Sequence, residues 1–363
     1  MSPQPKPGIL DISPYVAGRG PEPGGPPAIK LSSNESALGP SVAAIAAYEA
    51  ERGELSIYPE GSARLLRETI AEVYGLDADR IVCGNGSEEL IALLARIYLS
   101  PGDEVVFTKY AFLVYRIAAL ASSARPVVVA ENDLHANVDW ILTAVTPRTR
   151  MVYLANPNNP TGTCLPAEEI RRLHEGLPDN VLLVLDAAYA EYVERSDYDA
   201  GAELAGRFDN VVMTRTFSKI HALAGLRIGW AYCPWAIADA LNRVRGAFNV
   251  SVPAQRAAAA ALRDRDHVAR SAAHNSKWRR WLAQEIRAVG LRADDSEGNF
   301  LLIQFGSPQQ AQAADAFLQS RGFILRPVAS YDLPHCLRLT VGTEDANRGV
   351  AAALTDFMKQ DMS

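Results

Sequence analysis

The feature that most constrains this chain is the alternation of short apolar runs with longer amphipathic stretches. Arg80 to Cys83, Glu104 to Phe107, Pro126 to Val129, Met151 to Ala155, Val181 to Leu185 and Val211 to Thr214 read as buried strands. Helical spacing of apolar residues fills several of the gaps, as in Ser87 to Leu99 and Ala167 to Leu177. That rhythm predicts an α/β fold: a three-layer large domain with a mostly parallel central sheet and helices on both faces. Past about residue 250 the rhythm changes. Helical patterns over Ala254 to Leu262 and His267 to Val289 lead to a strand at Phe300 to Phe305, a helix at Gln309 to Arg321, a strand at Cys336 to Val341 and a helix at Asp345 to Lys359. The expected division is an N-terminal arm (1–30), a large domain (31–250) and a smaller α+β domain (251–363).

The arm follows from Gly18 to Pro27, where Gly and Pro dominate and forbid both helix and ladder pairing. It must lie on something else, and is expected to be free to reach a neighbouring molecule. Net charge is -6, from 36 Lys+Arg against 42 Asp+Glu, so no basic field gathers nucleic acid. Cys83, Cys164, Cys233 and Cys336 stand far apart without metal-ligand spacing, which predicts incidental thiols in a reducing compartment and no metal. The start, MSPQPKPGILDI, lacks the basic and apolar regions of a signal peptide, and no long apolar run follows. A cytoplasmic protein without a membrane partner is expected.

In open α/β sheets ligands bind beyond the carboxyl ends of the strands, so the residues there carry the functional signal. After Arg80 to Cys83 comes Gly84-Asn85-Gly86-Ser87-Glu88-Glu89, with Ser87 as the expected N-cap of a helix whose free N–H groups could take an anion. After Met151 to Ala155 comes Asn156-Pro157-Asn158-Asn159-Pro160-Thr161-Gly162, where prolines stiffen the loop. Asp186 ends the next strand and requires a cationic partner if buried, with Tyr189 following; an arginine could equally satisfy it. After Val211 to Thr214 come Thr216, Ser218 and Lys219, then Arg227. Hydroxyls and a guanidinium suit a phosphate, and a desolvated lysine can form a Schiff base. A Ser218–Lys219 hydrolytic dyad is disfavoured, because adjacent residues of an extended chain project to opposite sides.

Asn159-Pro160-Thr161-Gly162, Asp186-x-x-Tyr189, Ser218-Lys219 and Arg227, in that order, resemble the fold type I pyridoxal phosphate aminotransferases, and within them the histidinol-phosphate aminotransferase family. The resemblance runs from about Leu31 to Lys359. It implies pyridoxal 5'-phosphate as cofactor, Lys219 as the amine that holds it and later moves the substrate proton, and Asp186 as the partner of the pyridine nitrogen. Asn159 and Tyr189 would bond the ring oxygen, and Phe112, rather than nearby Tyr110, would stack on the ring. Gly86, Ser87 and Glu88 through backbone N–H, with Thr216, Ser218 and Arg227 through side chains, would hold the phosphate. A homodimer is implied, with Tyr58 reaching the phosphate from the other subunit.

The same resemblance implies small-molecule amino-acid and keto-acid substrates. Arg338 would grip a carboxylate and Arg326 a substrate phosphate, with Tyr15 and Asn34 lining the pocket. The reaction implied moves an amino group between histidinol phosphate and 2-oxoglutarate, in histidine biosynthesis. Two departures bear on this: Asn34-Glu35-Ser36-Ala37 replaces Asn-Glu-Asn-Pro, and Tyr110-Ala111 replaces Pro-Thr. Aromatic amino acids remain open as substrates, as does a threonine-phosphate decarboxylase. A non-catalytic cofactor-binding sensor is the reading of another class, disfavoured because no helix-turn-helix pattern precedes Leu31.

Overall fold

The computed structural model describes residues 3–21, 24–25 and 27–361. In chain order its strands are β1 (Ile29–Lys30), β2 (Ile81–Gly84), β3 (Glu104–Thr108), β4 (Arg125–Val129), β5 (Thr149–Ala155), β6 (Leu182–Asp186), β7 (Val211–Thr216), β8 (Gly229–Tyr232), β9 (Arg292–Ala293), β10 (Phe300–Gln304), β11 (Phe323–Ile324), β12 (Arg326–Val328) and β13 (Leu333–Thr340). Seven of them form one sheet, ordered β2-β8-β7-β6-β5-β3-β4. Only β8 runs against its neighbours.

Successive residues of a strand point to opposite faces, and here both faces are apolar. Val152, Leu154, Leu183, Leu185, Val211 and Met213 enter one core, with helices Arg64–Tyr74, Ala167–Gly176 and Val252–Arg263. Met151, Tyr153, Leu182, Val184 and Val212 enter the other, against helices Gly86–Tyr98, Val114–Ala121 and Trp235–Val244. The result is three layers, as the alternating runs predict.

A second sheet, ordered β12-β13-β10-β9, packs on helices Arg265–Ala288, Pro308–Ser320 and Glu344–Asp361. The N-terminal segment joins it: β1 pairs in parallel with β11, and Leu31 lies in the core under the second sheet. Among the described residues no helix is long and apolar enough to cross a membrane.

One expectation changes. Ser87 is not the N-cap; the helix begins at Gly86, directly after Asn85. Gly86 turns the chain at φ 76°, and the Glu89 carboxylate reaches back to the Asn85 N–H at 2.6 Å. The arm makes several contacts to its own chain. Ser123 donates to the Pro7 carbonyl at 3.0 Å, Arg326 to the Val16 carbonyl at 2.5 Å, and Arg19 pairs with Asp315 at 2.5 Å. Of the Gly18–Pro27 stretch, Glu22, Pro23 and Pro26 fall outside the described residues; the rest forms neither helix nor strand.

Candidate active site

The ends of three adjacent strands build one wall of the site. Gly84 of β2 and Thr216 of β7 both pair with Gly229 of β8. A Cβ at Gly229 would stand 2.4 Å from the Ser87 nitrogen, so glycine is what lets the helix start approach β7. The loop from β7 to the antiparallel β8 must leave and return at the same edge, which brings Ser218, Lys219 and Arg227 beside that helix start. Arg227 Nη1 donates to Ser218 Oγ at 3.4 Å, and the Ser218 N–H donates to Thr216 Oγ1 at 3.1 Å. Two hydroxyls, a guanidinium and exposed helix N–H groups thus face one point, a site built for an anion.

Asp186 ends β6 in register with Ala155 of β5 and Thr214 of β7. Tyr115 donates to its Oδ2 at 2.8 Å and Thr214 to its Oδ1 at 3.3 Å. Burial nevertheless raises the Asp186 carboxyl above the ordinary carboxylate range, and these donors only oppose that rise. Lys219 shows the complementary effect: burial, reinforced by the Arg338 guanidinium, lowers its amine to about 8. Its Nζ donates to the Ser33 carbonyl at 3.4 Å and lies 5.6 Å from the centre of the Tyr189 ring.

The opposite wall comes from the second sheet and the segment after β1. Arg326 and Arg338 are direct partners across β12 and β13, so both side chains project from one face. Both are buried. Like charges facing each other across strands destabilise a sheet, and an anion between them would offset that cost. Arg338 donates to Asn159 Oδ1 and, at 2.7 Å, to the Ser32 carbonyl, while among the described residues its buried Nε has no partner. Asn34, at φ 57°, donates to the Tyr189 hydroxyl at 2.9 Å.

Between the walls lies a cavity of about 270 Å³. The structure brings into its lining Tyr15, Asn34, Gly86, Ser87, Glu88, Phe112, Asn159, Asp186, Tyr189, Thr216, Ser218, Lys219, Arg227, Arg326 and Arg338. Phe112 lines it and Tyr110 does not; Tyr110 packs in a separate cluster around Leu134 and Tyr331. Tyr58 is not there either. It is 77% exposed on the surface, stacked on Phe248 at 4.6 Å. Sequence reasoning missed Tyr115, Ser32, Ser33 and Glu35. Tyr115 carries only the signal of a core aromatic on a helix, whereas Glu35 stood in view beside Asn34.

Residues 26–354 match the aminotransferase class I and II family, and the chain belongs to it. It is 56% identical over 361 residues to a histidinol-phosphate aminotransferase of Nitrobacter hamburgensis, covering 99% of both chains. A histidinol-phosphate aminotransferase of Rhodopseudomonas palustris is 54% identical over 362 residues, again across 99% of each. Among solved structures, the histidinol-phosphate aminotransferase from Sinorhizobium meliloti in complex with pyridoxal-5'-phosphate superposes with a TM-score of 0.89, at 28% identity over 97% of both chains.

Proposed function

We propose that this protein transfers an amino group between histidinol phosphate and 2-oxoglutarate, with pyridoxal 5'-phosphate as its resident group. The observation that carries the reading is the buried Arg326–Arg338 pair facing the desolvated amine of Lys219 across one cavity. A phosphate-bearing amine and a dicarboxylic keto acid share the need for those guanidiniums. The full-length likeness to histidinol-phosphate aminotransferases supports the same substrate.

The residues present fit the cofactor. Lys219 would hold its aldehyde carbon, Asp186 its ring nitrogen, Asn159 and Tyr189 its ring oxygen, and Phe112 its face. Gly86, Ser87, Glu88, Thr216, Ser218 and Arg227 would hold its phosphate. When bound, the cofactor supplies an electron sink for the carbon that loses its proton. A positively charged ring nitrogen would keep the Asp186 carboxylate ionised against the burial that raises it. Lys219, its amine lowered to about 8 by burial, would be placed to move that proton. Arg326 would take the phosphate of the substrate, with Arg338 serving that phosphate and the keto acid's carboxylate in turn; Tyr15 and Asn34 would complete the pocket.

Our reading includes a homodimer in which Tyr58 reaches the partner's phosphate site. Support comes from the exposed apolar side chains clustered in sequence around it, Leu55, Ile57 and Tyr58, and from Phe248 stacked on Tyr58. The arm (1–30), large (31–250) and small (251–363) units remain our division of the chain. A coupled assay for glutamate formed from 2-oxoglutarate tests the function. Histidinol phosphate should be used far faster than phenylalanine; equal rates would contradict the assigned substrate while leaving the reaction class intact.

A further inference from the structure

The segment after β1 reads like a ladder against the site. The Ser32 carbonyl takes Arg338 Nη2, the Ser33 carbonyl takes Lys219 Nζ, and Asn34 holds the Tyr189 hydroxyl. The next rung is Glu35, whose side chain also lines the cavity. Its backbone is fixed, because Asn299 Nδ2 donates to the carbonyls of both Asn34 and Glu35.

Three carboxylates line the cavity, and two are committed. Asp186 is held by Tyr115 and Thr214 at the foot of the site, and Glu88 lies 4.0 Å from Arg227 at the anion cup. Glu35 meets only Lys30, through Oε1; among the described residues its Oε2 has no hydrogen-bond partner. The carboxylate is half exposed rather than buried in structure. Glu35 follows directly on Asn34, which holds the Tyr189 hydroxyl, on the wall where the Ser32 carbonyl takes Arg338.

Histidinol phosphate presents three polar groups. Its amine would go to the aldehyde carbon that Lys219 holds and its phosphate to the arginine pair, which leaves the imidazole ring without an assigned partner. We propose that Glu35 is a specificity-determining residue whose free carboxylate oxygen accepts a hydrogen bond from the imidazole N–H of the substrate. The inference rests on the substrate reading above and deepens it. Lys30 engages one carboxylate oxygen, and the second stays available to the ring. A phenyl ring offers no such donor, so this contact separates the two candidate substrate classes at one atom.

The test uses holoenzyme reduced with borohydride, so that binding is read without turnover. Calorimetric titration compares L-histidinol phosphate with O-phosphoethanolamine, which has the amine and phosphate but no ring. Glu35→Leu should weaken histidinol phosphate roughly tenfold, the loss expected of one charge-assisted hydrogen bond, and leave phosphoethanolamine within about twofold. Glu35→Gln, which keeps an acceptor oxygen and the shape of the cavity, should recover part of that loss. Equal weakening of both probes, or no weakening of either, would overturn the proposal. Should the unaltered protein turn over phenylalanine as fast as histidinol phosphate, the substrate reading fails first and takes the inference with it.

Discussion

Burial acts on the two central residues in opposite senses, raising the acid Asp186 and lowering the base Lys219. For Lys219 the consequence is a pH profile. An amine must be neutral to attack an aldehyde, so below about 8 most of it is protonated and unreactive, and above that it is free. Capture of pyridoxal phosphate by the apoprotein, followed by absorbance, should therefore rise with pH and level off soon after 8. An inflection near the ordinary lysine value of about 10.5 would contradict the burial argument. Tyr115→Phe removes the shorter of the two side-chain hydrogen bonds to Asp186. Steady-state kinetics should show kcat roughly tenfold lower with KM within about twofold, the cost of one hydrogen bond to a charged group. Lys219 and Asp186 were legible because they sit in short motifs at strand ends. Tyr115 was not: along a helix it reads as core, and only its stacking on Tyr153 of β5 brings its hydroxyl to the Asp186 carboxylate.

Elements place these residues more than the residues place themselves. The anion cup exists because β8 lies between β2 and β7 with glycine at its first position. Gly229→Ala would push a methyl group to within 2.4 Å of the Ser87 nitrogen and 2.6 Å of the Gly86 carbonyl carbon. The helix start must then retreat, and equilibrium dialysis should show pyridoxal phosphate held at least roughly tenfold more weakly, while far-ultraviolet circular dichroism stays unchanged. Retention at the original affinity would show that the close approach has no part in phosphate binding. The apolar runs announced most strands of the large sheet, since period and composition agree there. β12 is three residues long and carries a proline, too little pattern to read. Its register against β13 was hidden with it, so only the family resemblance put Arg326 and Arg338 in one pocket.

For the molecule as a whole, the arm ties the two sheets together across the cavity. Pro7 is held beside the helix Val114–Ala121, whereas Val16 and Arg19 are held by Arg326 and Asp315 on the side of the second sheet. Removing the first 19 residues deletes Tyr15 from the cavity lining and leaves Arg326 without the Val16 carbonyl. The shortened protein should keep its melting temperature within a few degrees, because no buried core residue is lost, and show a KM for histidinol phosphate raised several-fold. An unchanged KM would show that the arm does not shape the substrate pocket. Composition made this segment legible as non-helical, but gave no hint of what it would lie on, because its anchors come from Ser123, Asp315 and Arg326, far along the chain.

The account stands on one amine, Lys219, binding the cofactor covalently. Reducing the pyridoxal phosphate-loaded protein with borohydride, digesting it and locating the phosphopyridoxyl group by mass spectrometry tests this most directly. The account predicts one modified residue per chain, Lys219. A label on any other lysine, or none after reduction, would contradict it.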